Sequence, residues 1–145
     1  MIHYIHLGGQ DRPITFAYSA AYEYELQTGK SYEIDVAELA GQLIIAGANL
    51  GTDDVGAAAR TISMVKYLDI AYAALRAGHF KMKTPITFTI HDVADWFGED
   101  KQKAAQFTEM LFVANFGQSK GINFIQKFIF YQHIHYDFRI NFTRF

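Results

Sequence analysis

The sequence predicts a mainly helical α+β fold, in which a small N-terminal β-hairpin precedes about five helices. Three observations predict it. Apolar residues alternate with polar ones near the N-terminus, apolar residues recur at helical spacing over most of the following chain, and glycines with capping residues separate these segments. A chain of 145 residues is the usual size of one domain and can bury a conventional core.

Composition restricts the classes of function. The chain has no cysteine, which excludes disulfides, zinc-thiolate sites and iron-sulfur clusters. The first six residues lack a basic stretch followed by an apolar one, and no apolar run is long enough to span a bilayer. A net charge of -2 predicts no nucleic-acid binding. We therefore expect a cytoplasmic protein without a membrane segment.

Charge and aromatic content divide the chain into two parts. Residues 1–118 hold nine Lys/Arg and fourteen Asp/Glu, a net charge of -5, whereas residues 119–145 hold four and one, a net charge of +3. The second part also contains eight of the 23 aromatic residues and no alanine. We predict a helical body with the N-terminal hairpin over 1–118 and a separate aromatic, basic tail over 119–145.

The N-terminal hairpin is predicted from period-two alternation. Residues 2–7 alternate, Gly8 and Gly9 are typical of a tight turn, and residues 12–16 form a second β-rich segment. From Ala17 the spacing becomes helical, and Gly29 provides a left-handed stop.

The second and third helices are predicted from capping residues and apolar stripes. Asp35 followed by Glu38 resembles a capping box, and this helix is expected to end around residues 47–51. The longest periodic segment follows over residues 52–78, with a bend near residues 61–63. Its apolar face is predicted to include Val65 and to end with the helix at Gly78.

Two shorter helices complete the predicted body. Thr89 with Asp92 three residues later predicts a capped fourth helix that stops at Gly98. Asp100 opens a fifth helix, and Gly117 ends it. Large apolar side chains on these two helices are predicted to pack in the core: Trp96, Phe97, Phe107, Leu111 and Phe112.

No pattern in the sequence predicts catalysis. Gly8 and Gly9 lack the further residues of a nucleotide-binding loop. Glu23 and Glu25 project from a helix in different directions, so a solvated face is expected rather than an acid-base pair. His133 and His135 are too few to hold a metal. We therefore predict no catalytic residue, no metal site, no cofactor and no enzymatic activity.

Partner-binding residues are predicted in two segments. Tyr18, Tyr22 and Tyr24 crowd the first helix and are expected to be either half-buried or partner-facing. The tail is strongly apolar and alternates over residues 134–143 like a strand, so it must pack on the body or insert into a partner. The predicted binding residues are Tyr18, Tyr22, Phe124, Phe128, Tyr131 and Phe138.

The N-terminal segment resembles a known family. It reads LGGQDRPITFAY over residues 7–18 and AAYEYELQTGKS over residues 20–31. A short strand, a Gly-Gly turn, a basic and apolar second strand, and a helix ending in Glu-x-x-x-Gly are similar to the opening of tail assembly chaperones of long-tailed bacteriophages and prophages. The helical order up to residue 118 is compatible with that family.

The resemblance implies a non-enzymatic protein of the host cytoplasm. Such a protein binds the tape-measure protein and recruits tail-tube subunits during assembly, and it does not remain in the virion. The resemblance transfers no binding residue. A small dimeric regulatory or toxin-antitoxin-type interaction protein that associates through its tail is the alternative, and a metal enzyme using His133 and His135 is a distant third.

Overall fold

The structure is a computed structural model that describes residues 1–49, with side chains up to residue 43, and residues 63–117. The hairpin followed by helices confirms the predicted fold class. Its elements are β1 (His3–Leu7), β2 (Gln10–Ile14), α1 (Tyr18–Thr28), α2 (Tyr32–Asn49), α3 (Met64–Lys81), α4 (Ile90–Glu99) and α5 (Lys101–Phe116). None of these described helices combines the length and apolar character that crossing a bilayer requires.

The hairpin confirms the predicted turn at Gly8 and Gly9. β1 and β2 pair antiparallel with Leu7 opposite Gln10, and the two turn residues Gly8 and Gly9 both have positive φ, as a type I′ turn requires. In such a two-residue hairpin the hydrogen-bonded pairs alternate from the turn. Pro13 therefore falls at a non-hydrogen-bonded position, where its missing N–H disturbs no bond of the ladder.

Local capping signals correctly located several helix ends. Gly29 ends α1 in the left-handed conformation. Thr89 and Asp92 form the reciprocal capping box of α4, and the Asp100 side chain accepts from the Gln102 N–H at the start of α5. Gly117 ends α5 with a positive φ. These signals depend only on neighbours in the sequence, which explains why they were readable.

The predicted start of the second helix was wrong. α2 begins at Tyr32, and the Ser31 hydroxyl accepts from the Ile34 N–H at 3.4 Å. Asp35 lies inside the helix and is buried. Its carboxylate accepts a hydrogen bond from the hydroxyl of Tyr24. A tertiary partner therefore uses the carboxylate that the sequence pattern assigned to a cap.

The third helix differs from prediction at both ends. Ser63 is extended and caps α3 by accepting from the Lys66 N–H, so no helix runs through this residue. The C-terminal end lies beyond Gly78, at Lys81, and α4 likewise extends one residue past Gly98 to Glu99. The predicted course over residues 50–62 lies outside the described residues.

Core packing confirms most of the predicted apolar set. Phe97, Phe107, Leu111 and Phe112 are buried, while Trp96 is half-buried. Other buried members come from both strands and from α1 to α4, and they include Ile5, Ile14, Tyr24, Leu39, Ile70, Leu75 and Val93.

One predicted core position is exposed. Val65 is 71% exposed because the buried stripe of α3 runs through Tyr67, Ile70 and Ala74, which places Val65 on the opposite side of the helix.

Gly78 brings α3 into close contact with β2. A Cβ atom at this position would lie 2.3 Å from the carbonyl oxygen of Pro13. One turn earlier, the carbonyl of Ala74 accepts from the N–H of Thr15 at 3.3 Å. Small residues therefore let the backbone of the helix touch the strand, and Gly78 serves packing rather than helix termination.

Replacing Gly78 with alanine is expected to lower the free energy of unfolding by about 2–4 kcal/mol, because the added methyl group forces α3 away from β2. Gly98→Ala is the matched control, since Gly98 is also helical and a Cβ there meets nothing within 4 Å. That control should be neutral or stabilising by up to about 1 kcal/mol. Urea unfolding of both variants measures the difference, and equal effects would contradict the close packing.

Candidate partner-binding surface

Helix α1 has two contrasting faces. Ala20, Glu23 and Tyr24 are buried against the body. On the opposite side, Tyr18 is 90% exposed, and Tyr22 and Leu26 are each 66% exposed. These three residues are spaced by four positions and therefore form one row along the helix, which we call the outward ridge. Large side chains lined up on a face that no other described element covers are typical of an interaction site.

Tyr24 attaches α1 to α2. Its hydroxyl donates to Asp35, and its ring packs edge-on against Tyr32 at a centroid distance of 5.8 Å. Burial, followed by the hydrogen bond and negative charge of Asp35, raises the pKa of Tyr24 well above its ordinary value. The hydroxyl therefore remains a proton donor over the physiological range.

Glu23 attaches α1 to α3. It is buried, contrary to the predicted solvated face, and accepts from Arg76 Nε at 3.3 Å. The guanidinium of Arg76 also lies 5.5 Å from the ring centroid of Tyr72 and 5.3 Å from that of Phe80. An ion pair between distant parts of the chain explains why the sequence did not indicate this burial. Together with Tyr24, it fixes which face of α1 points outward.

A shallow cavity continues the outward ridge onto the C-terminal end of α3. It has a volume of about 500 Å³ and is lined by Ala17, Tyr18, Ser19, Ala77, Phe80 and Lys81. Phe80 is 54% exposed and borders Tyr18 across this cavity. Sequence reasoning missed Phe80, because that helix was expected to stop at Gly78. The outward ridge and Phe80 together constitute the candidate partner-binding surface.

His79 holds this end of α3 in place. It is buried in the last turn of the helix, one residue past the predicted helix end at Gly78. Its Nδ1 lies 2.9 Å from the Thr84 hydroxyl, its carbonyl accepts from the Thr84 N–H at 3.0 Å, and its ring is 5.0 Å from that of Phe88. These contacts fold the chain back after Lys81 and so determine where Phe80 is presented.

A second concavity lies between the hairpin turn and α4. Its volume is about 400 Å³, and its lining includes Gly8, Trp96 and the carboxylates of Asp92, Asp95, Glu99 and Asp100. The Trp96 ring would lie 2.4 Å from a Cβ at Gly8, and the buried Arg12 guanidinium stacks 4.3 Å from its centroid. Arg12 Nε also donates to the Leu7 carbonyl at 2.8 Å. These contacts attach the turn to α4.

The predicted binding residues lie in different parts of the molecule. Tyr18 and Tyr22 lie side by side on the outward ridge, whereas Tyr24 belongs to the core. The tail residues lie outside the described residues: Phe124, Phe128, Tyr131 and Phe138, together with His133 and His135. Over residues 1–49 and 63–117, no cluster of three or more His, Cys, Asp or Glu is placed to hold a metal ion.

Comparisons with known proteins assign no family to this chain. No family model matches it, and neither a curated protein nor a solved structure matches it. Inference about function therefore depends on the candidate partner-binding surface and on the resemblance of residues 7–31.

The stability of the domain is expected to fall as the pH drops below about 6.5, the ordinary pKa of histidine. Burial, followed by the positive charge of Arg12, lowers the pKa of His79, and the Pro85 backbone opposes this to a lesser extent. Below pH 6.5 the unfolded chain therefore takes up a proton that the native chain resists, whereas the contribution of His79 is fully present above that pH.

Urea unfolding between pH 5 and pH 7.5 measures this dependence. His79→Gln should flatten the slope of stability against pH, because it removes the group whose pKa is lowered in the native chain. Parallel profiles for the wild type and His79→Gln would contradict the assignment.

Proposed function

We propose that this chain is a non-catalytic tail assembly chaperone of a long-tailed phage or prophage, which binds the tape-measure protein and recruits tail-tube subunits. The outward ridge of α1, extended by Phe80, is proposed as the surface that contacts the client protein. The main observation in favour of this surface is that Tyr18, Tyr22 and Leu26 are exposed in one row of a helix whose opposite face is buried.

The chemistry of the ridge suits protein recognition. Tyrosine rings offer a large contact area with few rotatable bonds, and they are enriched at interfaces. A row of side chains four positions apart is also the pattern that packs against another helix, ridge into groove. A helical client could therefore bury the three ridge side chains along one of its own faces.

The packing of α1 keeps the ridge ready for binding. Tyr24 and Glu23 fix the rotation of the helix about its axis through partners on α2 and α3, respectively. Because these contacts already exist in the free chain, binding need not reorganise the helix, which lowers the entropic loss on association. A chaperone that covers exposed apolar surface on an unassembled client benefits from such a preformed site.

The position of the ridge within the sequence supports the phage assignment. Tyr18, Tyr22 and Leu26 all lie within residues 7–31, the segment that resembles tail assembly chaperones. A tape-measure protein is long and helical, so its apolar faces must remain covered until tube subunits surround it. In this proposal the outward ridge covers part of those apolar faces.

The proposal is tested by co-expressing the full chain with the long helical protein encoded beside it, followed by pull-down and a binding titration. Tyr18→Ser combined with Tyr22→Ser should weaken the complex at least about tenfold, because two aromatic contacts are lost. Tyr4→Ser is the matched control, since Tyr4 is also an exposed tyrosine, at 52%, but lies on β1. Thermal melting should show that all variants remain folded.

A further pair of substitutions separates this function from the dimeric alternative. Phe124→Ser combined with Phe128→Ser changes the tail that the alternative uses for self-association. The proposed function predicts that the tail variant still binds the helical client. Failure of the wild-type chain to form a complex, together with a dimer that the tail variant abolishes, would replace the chaperone by the dimeric interaction protein.

A further inference from the structure

The C-terminal end of α3 presents an alternating apolar and cationic segment. Phe80 and Met82 are 54% and 43% exposed, and Lys81 and Lys83 between and after them are exposed as well. Within the described part of the chain, neither lysine forms an ion pair. Lys81 lines the same cavity as Phe80 and Tyr18, and Lys83 follows it by two residues.

Lys83 adopts a backbone conformation that usually belongs to glycine. Its φ is +56°, and its N–H donates to the Phe80 carbonyl at 3.2 Å as the chain leaves α3. A side chain in this left-handed region adds steric strain that glycine would avoid. Lys81 already complements the negative end of the helix dipole from within the last turn, so termination of α3 does not require a second lysine.

The cationic character of this end contrasts with the rest of the body. Residues 1–118 carry a net charge of -5. Glu23, the acidic residue of α1 nearest to α3, is paired with Arg76, and the Glu25 carboxylate accepts from the Tyr32 N–H at the start of α2. Lys81 therefore borders the outward ridge at its Tyr18 end, with Lys83 two residues farther along the chain, and a ligand that lies along the ridge meets positive charge there.

We propose that the partner segment recognised by this surface is an amphipathic helix with carboxylates along the edge that faces Lys81 and Lys83. This inference rests on the proposed function and specifies the chemistry of its client. The row from Tyr18 to Leu26 rises about 12 Å, which matches about two turns of a partner helix. An apolar side chain of that helix enters the cavity beside Phe80, and its Glu or Asp residues pair with the two lysines.

Charge complementarity selects this occupant over the chain's own tail. Residues 119–145 carry a net charge of +3 and would be repelled by Lys81 and Lys83. An anionic membrane surface offers apolar and negative groups too, but a row of side chains four positions apart fits the grooves of a helix, not a planar interface. The test therefore includes lipid vesicles.

The test titrates the full chain into two fluorescently labelled synthetic helices and follows anisotropy. Both helices carry the same stripe of leucines at positions i, i+3, i+4 and i+7, and their flanking positions are all glutamate in one and all lysine in the other. The glutamate helix should bind at least about tenfold more tightly. Lys81→Glu combined with Lys83→Glu should remove that preference. Lys101→Glu combined with Lys103→Glu makes the same change of charge on α5, away from this surface, and should retain it.

Lys83→Gly separates recognition from folding. Glycine relieves the strain at φ +56°, so this variant should melt at the same or a higher temperature while binding the glutamate helix about threefold more weakly. A purely structural lysine would not weaken binding in a variant that is at least as stable.

Three results would overturn this inference: equal affinity for the two helices, an unchanged preference in the double lysine variant, or tighter capture by phosphatidylserine vesicles that depends on the same lysines. If the pull-down depends on Tyr18 and Tyr22 but the glutamate preference is absent, the proposed function stands and the acidic-client inference falls. If lysine-dependent glutamate binding occurs without a tape-measure complex, the proposed client is wrong and the surface chemistry is right.

Discussion

The contact between Gly78 and Pro13 is the constraint on which the rest of the body depends. Because a helix backbone can approach a strand this closely only where a side chain is missing, α3 has one position relative to the hairpin. That position places Arg76 beside α1 and carries Phe80 past the strand to the surface. A backbone contact in the interior therefore determines which side chains the exterior offers.

The polar contacts beneath α1 give the outward ridge its direction. The apolar residues of the 11-residue helix α1 do not form a pronounced face, so they do not determine which side of the helix is buried. Tyr24 and Glu23 remove this ambiguity, because a buried hydroxyl and a buried carboxylate must each meet a partner, and Asp35 and Arg76 supply those partners. Tyr22 and its neighbours in the ridge point outward as a consequence, and the exposed aromatic surface is built into the fold.

The sequence predicted what depends on near neighbours. The hairpin turn, the capping box of α4 and the stop at Gly29 each follow from a few adjacent residues, and all were correct. Asp35 and Glu23 were misread because their partners are distant in the chain, so their burial left no local signal. The sequence also failed to place Phe80 and Lys81 on α3, because Gly78 was interpreted as the end of the helix. Gly78 instead contacts β2, which is distant in the chain.

The proposed function requires that a partner protein binds the outward ridge of α1. Hydroxyl-radical footprinting of the full chain, alone and in complex with its co-purified helical partner, tests this claim directly, because it reports the exposure of individual side chains. We expect Tyr18, Tyr22 and Phe80 to lose reactivity in the complex, while Tyr4 on β1 keeps its reactivity and serves as an internal reference. Unchanged reactivity of Tyr18 and Tyr22 in a fully formed complex would contradict the account.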